Sequence, residues 1–264
     1  MTVCSPDLKE ERRLRREGHE WVAGLDEVGR GAWAGPLTVG VAVLRPRVTT
    51  RSIPAWLRDS KMLSEAKREQ IFDKVGAWCE AWAVGHSTHD ECDQWGMTEA
   101  LRVAARRALS GLGQAPEALI VDGPRNLLSH PEDPYTGVVR PIVHGDAKCA
   151  SVAAASVLAK VVRDRIMRQE ADNFPVYSFE QNKGYPSLVH QTALRGYGPS
   201  TIHRCSWVFV RDLPWRGRAR WSDDRRDLGE VAGDGVALAP VDQGRFFDGA
   251  DLLSLPATRA EAAS

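Results

Sequence analysis

Four acidic residues stand where acids are costly. Asp26 and Glu27 interrupt the apolar run from Val22 to Val28, Asp122 closes Ala118-Leu119-Ile120-Val121, and Asp146 follows the run Val138 to Val143 in Gly145-Asp146. Short apolar runs of this kind read as buried strands. An unpaired buried carboxylate costs about several kcal/mol, so four at neighbouring strand ends need a cation. Hard carboxylate oxygens suit Mg2+ or Mn2+. Two such ions about 4 Å apart clamp a phosphodiester, one beside the attacking water and the other beside the leaving 3′ oxygen. Taken singly, Asp122 before Gly123 and Asp146 read equally well as turn or helix caps. Asp26-Glu27 does not, because two adjacent acids break a strand with no structural benefit. Neighbours on a regular strand face opposite sides, so both reach one site only if the strand end twists or bulges, which Gly29 and Gly31 permit.

Other chemistry is weaker. The five cysteines, Cys4, Cys79, Cys92, Cys149 and Cys205, are scattered without a C-x-x-C pair and read as reduced thiols. His86-x-x-His89-x-x-Cys92 offers soft ligands, but no second cluster completes a zinc set. Lys+Arg and Asp+Glu balance at 35 each, so any phosphate-binding surface must come from local concentration of charge. Gly29-x-Gly31-x-x-x-Gly35 after a strand raises a dinucleotide-binding oxidoreductase as an alternative. Its spacing is off by one, Pro36 leads into a second strand instead of a helix, and Asp26-Glu27 would repel a pyrophosphate.

These residues need a scaffold. A chain of 264 residues with 43% hydrophobic content fits one domain and a tail. Trp21 to Gly31 and Leu37 to Leu44 read as a hairpin around a glycine-rich turn. Ser64 caps a helix from Glu65 to about 80, Ala81 to Ser87 is a third strand, and Thr98 caps a helix through Leu112. Strands follow at Ala118 to Val121 and Val138 to Val143. The alanine-rich stretch from Cys149 to about Ala171 is a helix that must pack closely on the sheet. The order indicates a mixed α/β layer. Residues 1–20 read as a charged, solvated arm or a short exposed helix, 21–212 as the catalytic domain and 213–264 as a disordered tail. No run reaches the roughly 20 apolar residues of a membrane span, and the charged start lacks a signal peptide's apolar block, so a cytoplasmic protein without membrane association is expected. No heptad seam appears, so a monomer is expected.

Gly24-Leu25-Asp26-Glu27-Val28-Gly29-Arg30-Gly31, followed by Asp59-Ser60-Lys61-Met62-Leu63-Ser64, resembles the opening of the ribonuclease HII family. The resemblance continues through Val121-Asp122-Gly123, Gly145-Asp146-Ala147-Lys148, the run Ala153 to Asp164, Lys183-Gly184-Tyr185-Pro186 and His203-Arg204. It spans roughly residues 21 to 210, and the joint occurrence of the blocks is specific although each alone is weak. It implies a ribonuclease H-like mixed β-sheet flanked by helices, with a small helical C-terminal part. It also implies a metal-dependent endonuclease cutting 5′ of a ribonucleotide in RNA/DNA hybrids or duplex DNA with embedded ribonucleotides, leaving 3′-OH and 5′-phosphate, in ribonucleotide removal during replication and repair.

By the same resemblance the catalytic and metal-binding acids are Asp26, Glu27, Asp122 and Asp146, with Mn2+ or Mg2+ as cofactor. Gly29, Arg30 and Gly31 correspond to the loop that meets the ribose 2′-OH and its phosphate, where glycines admit a sugar. Tyr185 corresponds to the tyrosine packing on the following sugar, and Lys61 to a phosphate-contacting lysine. Lys160, Arg163 and Arg204 are further candidates for neutralising the backbone, and Asp164 is placed to pair with Lys160 or orient the site. Ala32-Trp33 and Ser206-Trp207 depart from the family pattern, as does the tail after about Asp212. A silent hybrid binder is the remaining alternative, against which the four retained carboxylates argue, since they repel phosphate.

Overall fold

The computed structural model describes residues 5–46, 48–57, 60, 63–126, 128, 135–207 and 210. Lys61 and the expected tail lie outside them. One sheet has the order β3-β2-β1-β4-β5, with β1 at Val22–Val28, β2 at Leu37–Leu44, β3 at Cys79–Ser87, β4 at Ala118–Asp122 and β5 at Val138–Ile142. The short hairpin makes β1 and β2 antiparallel, and β3 extends that pairing. The chain then crosses over and lays β4 parallel to β1 on the sheet's other side, with β5 parallel to β4.

Helices cover both faces. On one, α3 (His89–Ser110) sets Ala100, Leu101, Ala104, Ala105 and Ala108 against Leu25, Val39, Val41 and Val121. On the other, α5 (Ala150–Asn173) lies across β1 and β2, with α2 (Glu65–Trp78) beside it. The alanine content of α5 has the consequence expected of it. A Cβ on Gly24 would sit 2.3 Å from the Ser151 carbonyl carbon, and one on Gly40 2.5 Å from the Ala155 carbonyl oxygen, so helix and strands meet backbone to backbone. The small helices α6 (Phe179–Asn182) and α7 (Leu188–Tyr197) pack through Phe179, Ala193 and Leu194 onto Met167, Ala171 and Ala34. They form the expected small C-terminal part.

Three expectations are corrected. The arm takes the helical reading, α1 (Lys9–Arg16), but is docked instead of solvated, because Leu8, Glu11 and Leu14 recur every three residues and are all buried. Lys9, Arg12, Arg13 and Arg16 are exposed, which is why composition alone suggested solvation, whereas Arg15 turns back to donate to the carbonyls of Leu44 and Pro46. Helix α3 begins at His89, not Thr98. Thr88 and Glu91 form a capping box, and a first leg burying only Cys92 runs to a kink at Gly96, where φ is +77°. That leg carries too few buried apolar residues to show a period. Finally, β1 has no bulge near the acids: its register to β2 runs unbroken from Ala23↔Val43 to Val28↔Thr38.

Candidate active site

The acids gather where the central strands end. Leu25 pairs with Val121, so Asp26 and Asp122 occupy the next positions on adjacent parallel strands. Both follow the parity of Val22, Ala118 and Ile120, which pack with Cys149 and Val152 on the α5 side. The Gly145 N–H donates to Asp122 Oδ1 at 2.7 Å, tying the end of β4 to the start of the short helix α4 (Gly145–Lys148) that carries Asp146. His144, in the left-handed region at φ +58°, makes the turn from β5 into α4. With no bulge, Glu27 has the opposite parity; its side chain is 19% exposed and leans toward Arg30 at 3.6 Å.

Asp26 is 4% exposed. Burial drives its pKa well above the usual carboxylate range, and the charges of Glu27, Asp122 and Asp146 push the same way, while a hydrogen bond from Ser156 opposes them. The Glu27 N–H also donates to Asp26 Oδ1 at 2.8 Å. Neither bond brings positive charge. A buried acid among three other carboxylates is the donor set of a hard divalent cation, and the chemistry of the residues fits that group. As the side chains stand, no three His, Cys, Asp or Glu among the described residues converge on one ion position.

Beside the acids, Gly29 turns at φ +86° and its N–H donates to the Tyr185 hydroxyl at 3.1 Å. Arg30 and Gly31 are exposed. The Tyr185 ring carries two cations, Lys160 Nζ at 5.4 Å and Arg163 Cζ at 5.3 Å from its centroid. Lys160 bonds the buried Asp164 at 2.6 Å, and Arg68 reaches the same carboxylate at 3.4 Å.

Arg163 and Arg204 are corrected as phosphate ligands, because both side chains are fully buried. The Arg163 guanidinium donates to the carbonyls of Pro36, Lys183 and Ala34, and burial lowers its pKa to about 10, so it stays charged at neutral pH. Arg204 donates to the carbonyls of Gly35 and Arg30. Each holds the glycine loop from within. His86 bonds Thr38 and Cys92 packs in the core.

Sequence reading missed several participants. The Ser156 hydroxyl touches Asp26 and also lies 2.8 Å from the Ser60 hydroxyl, while Arg68 donates to the carbonyls of Ser60 and Leu63. A signal for Ser156 existed, since Ser156, Lys160, Arg163 and Asp164 share one face of the helix, the first of them inside its alanine-rich half. His203 stood in a block that carries the family resemblance but without a role, and Glu11 and His190 offered no signal.

A mixed sheet of this order, clad by helices on both faces with acids at its central strand ends, is a ribonuclease H-like fold. Solved structures agree: a ribonuclease H2 from Pyrococcus horikoshii OT3 superposes with a TM-score of 0.60 at 30% identity, covering 73% of this chain and 96% of that one. The ribonuclease HII in a PCNA complex from Archaeoglobus fulgidus gives 0.62 at 25% identity, covering 74% and 97%. In sequence, residues 23–210 match the ribonuclease HII family. The ribonuclease HII of Streptomyces avermitilis is 43% identical over 218 residues, 81% of this chain and 90% of that protein. A ribonuclease HII of Thermus thermophilus is 44% identical over 200 residues, 74% and 90%. The chain belongs to the ribonuclease HII family and is, with it, a ribonuclease H enzyme.

Proposed function

We propose that this endonuclease hydrolyses the phosphodiester 5′ of a ribonucleotide, in RNA/DNA hybrids and in duplex DNA with embedded ribonucleotides, leaving 3′-OH and 5′-phosphate. The observation that carries the reading is the burial of Asp26 among three carboxylates, next to a glycine turn bonded to Tyr185. Asp26, Glu27, Asp122 and Asp146 would hold two Mg2+ or Mn2+ ions. Such ions supply Lewis acidity and a lowered water pKa when bound.

The chain's own groups do the selecting. Gly31 has open space at its Cα, so a ribose with its 2′-OH can approach the backbone there. Tyr185 offers its ring to the next sugar, where a further hydroxyl would collide, and so reports an RNA-to-DNA junction. Arg30, Lys160 and Lys61 supply positive charge for phosphates, and Asp164 orients Lys160. The domain at 21–212 does this work as a cytoplasmic monomer serving ribonucleotide removal. No helix among the described residues is long and apolar enough to cross a membrane.

The test is cleavage of a labelled DNA duplex carrying one ribonucleotide, with Mg2+ or Mn2+, for the intact protein and Asp26→Asn. One cut 5′ of the ribonucleotide, lost in the variant, is expected. An untouched single ribonucleotide alongside degraded long hybrids would overturn the junction-reading assignment. Tight binding with no cut under either metal would leave a silent binder.

A further inference from the structure

Behind the Tyr185 loop two histidines face each other out of solvent. His190 and His203 are 0% and 1% exposed, with 2.8 Å between their Nε2 atoms. Two facing ring nitrogens share one proton, and the groups at the outer ends determine which ring carries it. The Ser200 backbone N–H, which can only donate, lies 2.9 Å from His203 Nδ1. That nitrogen is therefore an acceptor, and His203 carries its proton on Nε2. His203 then donates to His190 Nε2, which leaves the His190 proton on Nδ1. There it meets the Tyr185 carbonyl, which can only accept, at 2.9 Å. Every bond in the chain from Ser200 to Tyr185 runs in one direction, and both rings are neutral. Burial agrees, lowering the pKa of both rings, that of His203 to about 3.

The other end of Tyr185 is held as well, since its hydroxyl accepts from the Gly29 N–H. Tyr185 is thus held at its hydroxyl by the glycine turn and at its carbonyl by His190, which shares that oxygen with the Ser187 N–H at 2.8 Å. Phe179 and Trp33 pack on His190 at centroid separations of 5.3 Å and 5.6 Å and leave the imidazole little room to turn.

We propose that His190 and His203 are positioning residues whose fixed tautomers hold the Tyr185 backbone, and through it set how sharply the enzyme distinguishes deoxyribose from ribose after the cut ribonucleotide. This rests on the reading of Tyr185 given above. The amide of Asn overlays the Nδ1 side of imidazole and that of Gln the Nε2 side. His190→Asn therefore keeps the donor to Tyr185, whereas His190→Gln keeps a partner for His203 and drops Tyr185. A purely space-filling role would not separate the two.

The experiment compares kcat/KM on a duplex with one embedded ribonucleotide and on a hybrid with a continuous RNA strand, for the parent, both His190 variants and Tyr185→Ala. His190→Gln is expected to lose about tenfold of the preference, chiefly through KM, and His190→Asn no more than about threefold, the scale of one hydrogen bond. Equal and undiminished preference in both folded variants overturns the proposal. If Tyr185→Ala itself keeps the preference, the reading of Tyr185 fails and the positioning role falls with it. If Tyr185→Ala loses it and His190→Gln does not, only the positioning role fails. Long-range 15N–1H NMR on the unsubstituted protein is independent of activity and of variant folding. It should show Nε2–H on His203 and Nδ1–H on His190 at pH 7; the opposite tautomers or a charged pair overturn the proposal.

Discussion

At Asp26, burial and three neighbouring carboxylates oppose the same negative charge, so the residue is kept at a cost to the metal-free fold. Asp26→Asn should raise the melting temperature in EDTA by about 2–4 °C, equivalent to about 1 kcal/mol, while cutting cleavage by about 10²- to 10³-fold. Scanning calorimetry and the labelled-duplex assay check the two halves; a variant melting lower than its parent would contradict the burial penalty. Gly29 and Gly31 separate structure from function in another way. A Cβ on Gly29 would lie 2.2 Å from Arg163 Nε at a φ of +86°, whereas one on Gly31 meets nothing within 4 Å. Gly29→Ala should therefore cost about 2–4 kcal/mol in urea unfolding. Gly31→Ala should stay within about 0.5 kcal/mol of the parent and still weaken cleavage, through KM, by crowding the ribose. The glycines were legible in the sequence as a turn, but which of them touches protein and which touches open space depends on where Arg163 lies.

Among the elements, α5 was the most legible and α1 the least. The alanines of α5 announce close packing because only small side chains let a helix approach a sheet so nearly, and Gly24 and Gly40 complete that fit. In α1 and its N-cap, three buried positions are outnumbered by charges, and one of the three is itself an acid. Glu11 accepts from the Ser151 N–H at 2.9 Å and the Ser151 hydroxyl at 2.7 Å, capping α5, whose own N-cap residue Cys149 makes no side-chain cap. The Asp7 carbonyl accepts from the Ala150 N–H, and the Asp7 N–H donates to the Lys148 carbonyl, so the arm braces the junction that follows Asp146. Glu11 Oε2 is buried without a hydrogen-bond partner among the described residues, and burial raises the residue's pKa. Glu11→Gln, which keeps an accepting oxygen and removes the charge, should stay within about 1 kcal/mol of the parent. Glu11→Ala should lose about 1–3 kcal/mol by stranding the Ser151 donors. Chemical denaturation of the two variants measures the difference, and equal losses would show that Ser151 does not depend on this acceptor.

For the whole molecule, pH sums such local terms. His86 sits in β3 with its pKa lowered to about 4 by burial and by the charges of Arg163 and Arg107, below the unfolded value of about 6.5. Between those limits the unfolded chain binds the extra proton, so this residue's contribution weakens as pH falls from about 6.5 toward 4. Relative to His86→Gln, the parent should lose up to about 1.4 kcal/mol per pH unit across that window. Denaturation midpoints of both proteins from pH 7 to 4 give the comparison, and parallel curves would remove His86 as the source.

The acids at strand ends, the glycine turn between β1 and β2, the mixed sheet and the close seat of α5 were all legible before the chain was folded. Apolar periodicity and the cost of a misplaced charge are local properties, readable along the chain. That Arg163 and Arg204 face inward, that Glu11 caps a helix some 140 positions away, and that two histidines meet behind Tyr185 emerges with the folded chain alone. A buried charge or imidazole is tolerable only where carbonyls, hydroxyls and N–H groups from separate segments converge on it, and that convergence exists only once the chain has closed.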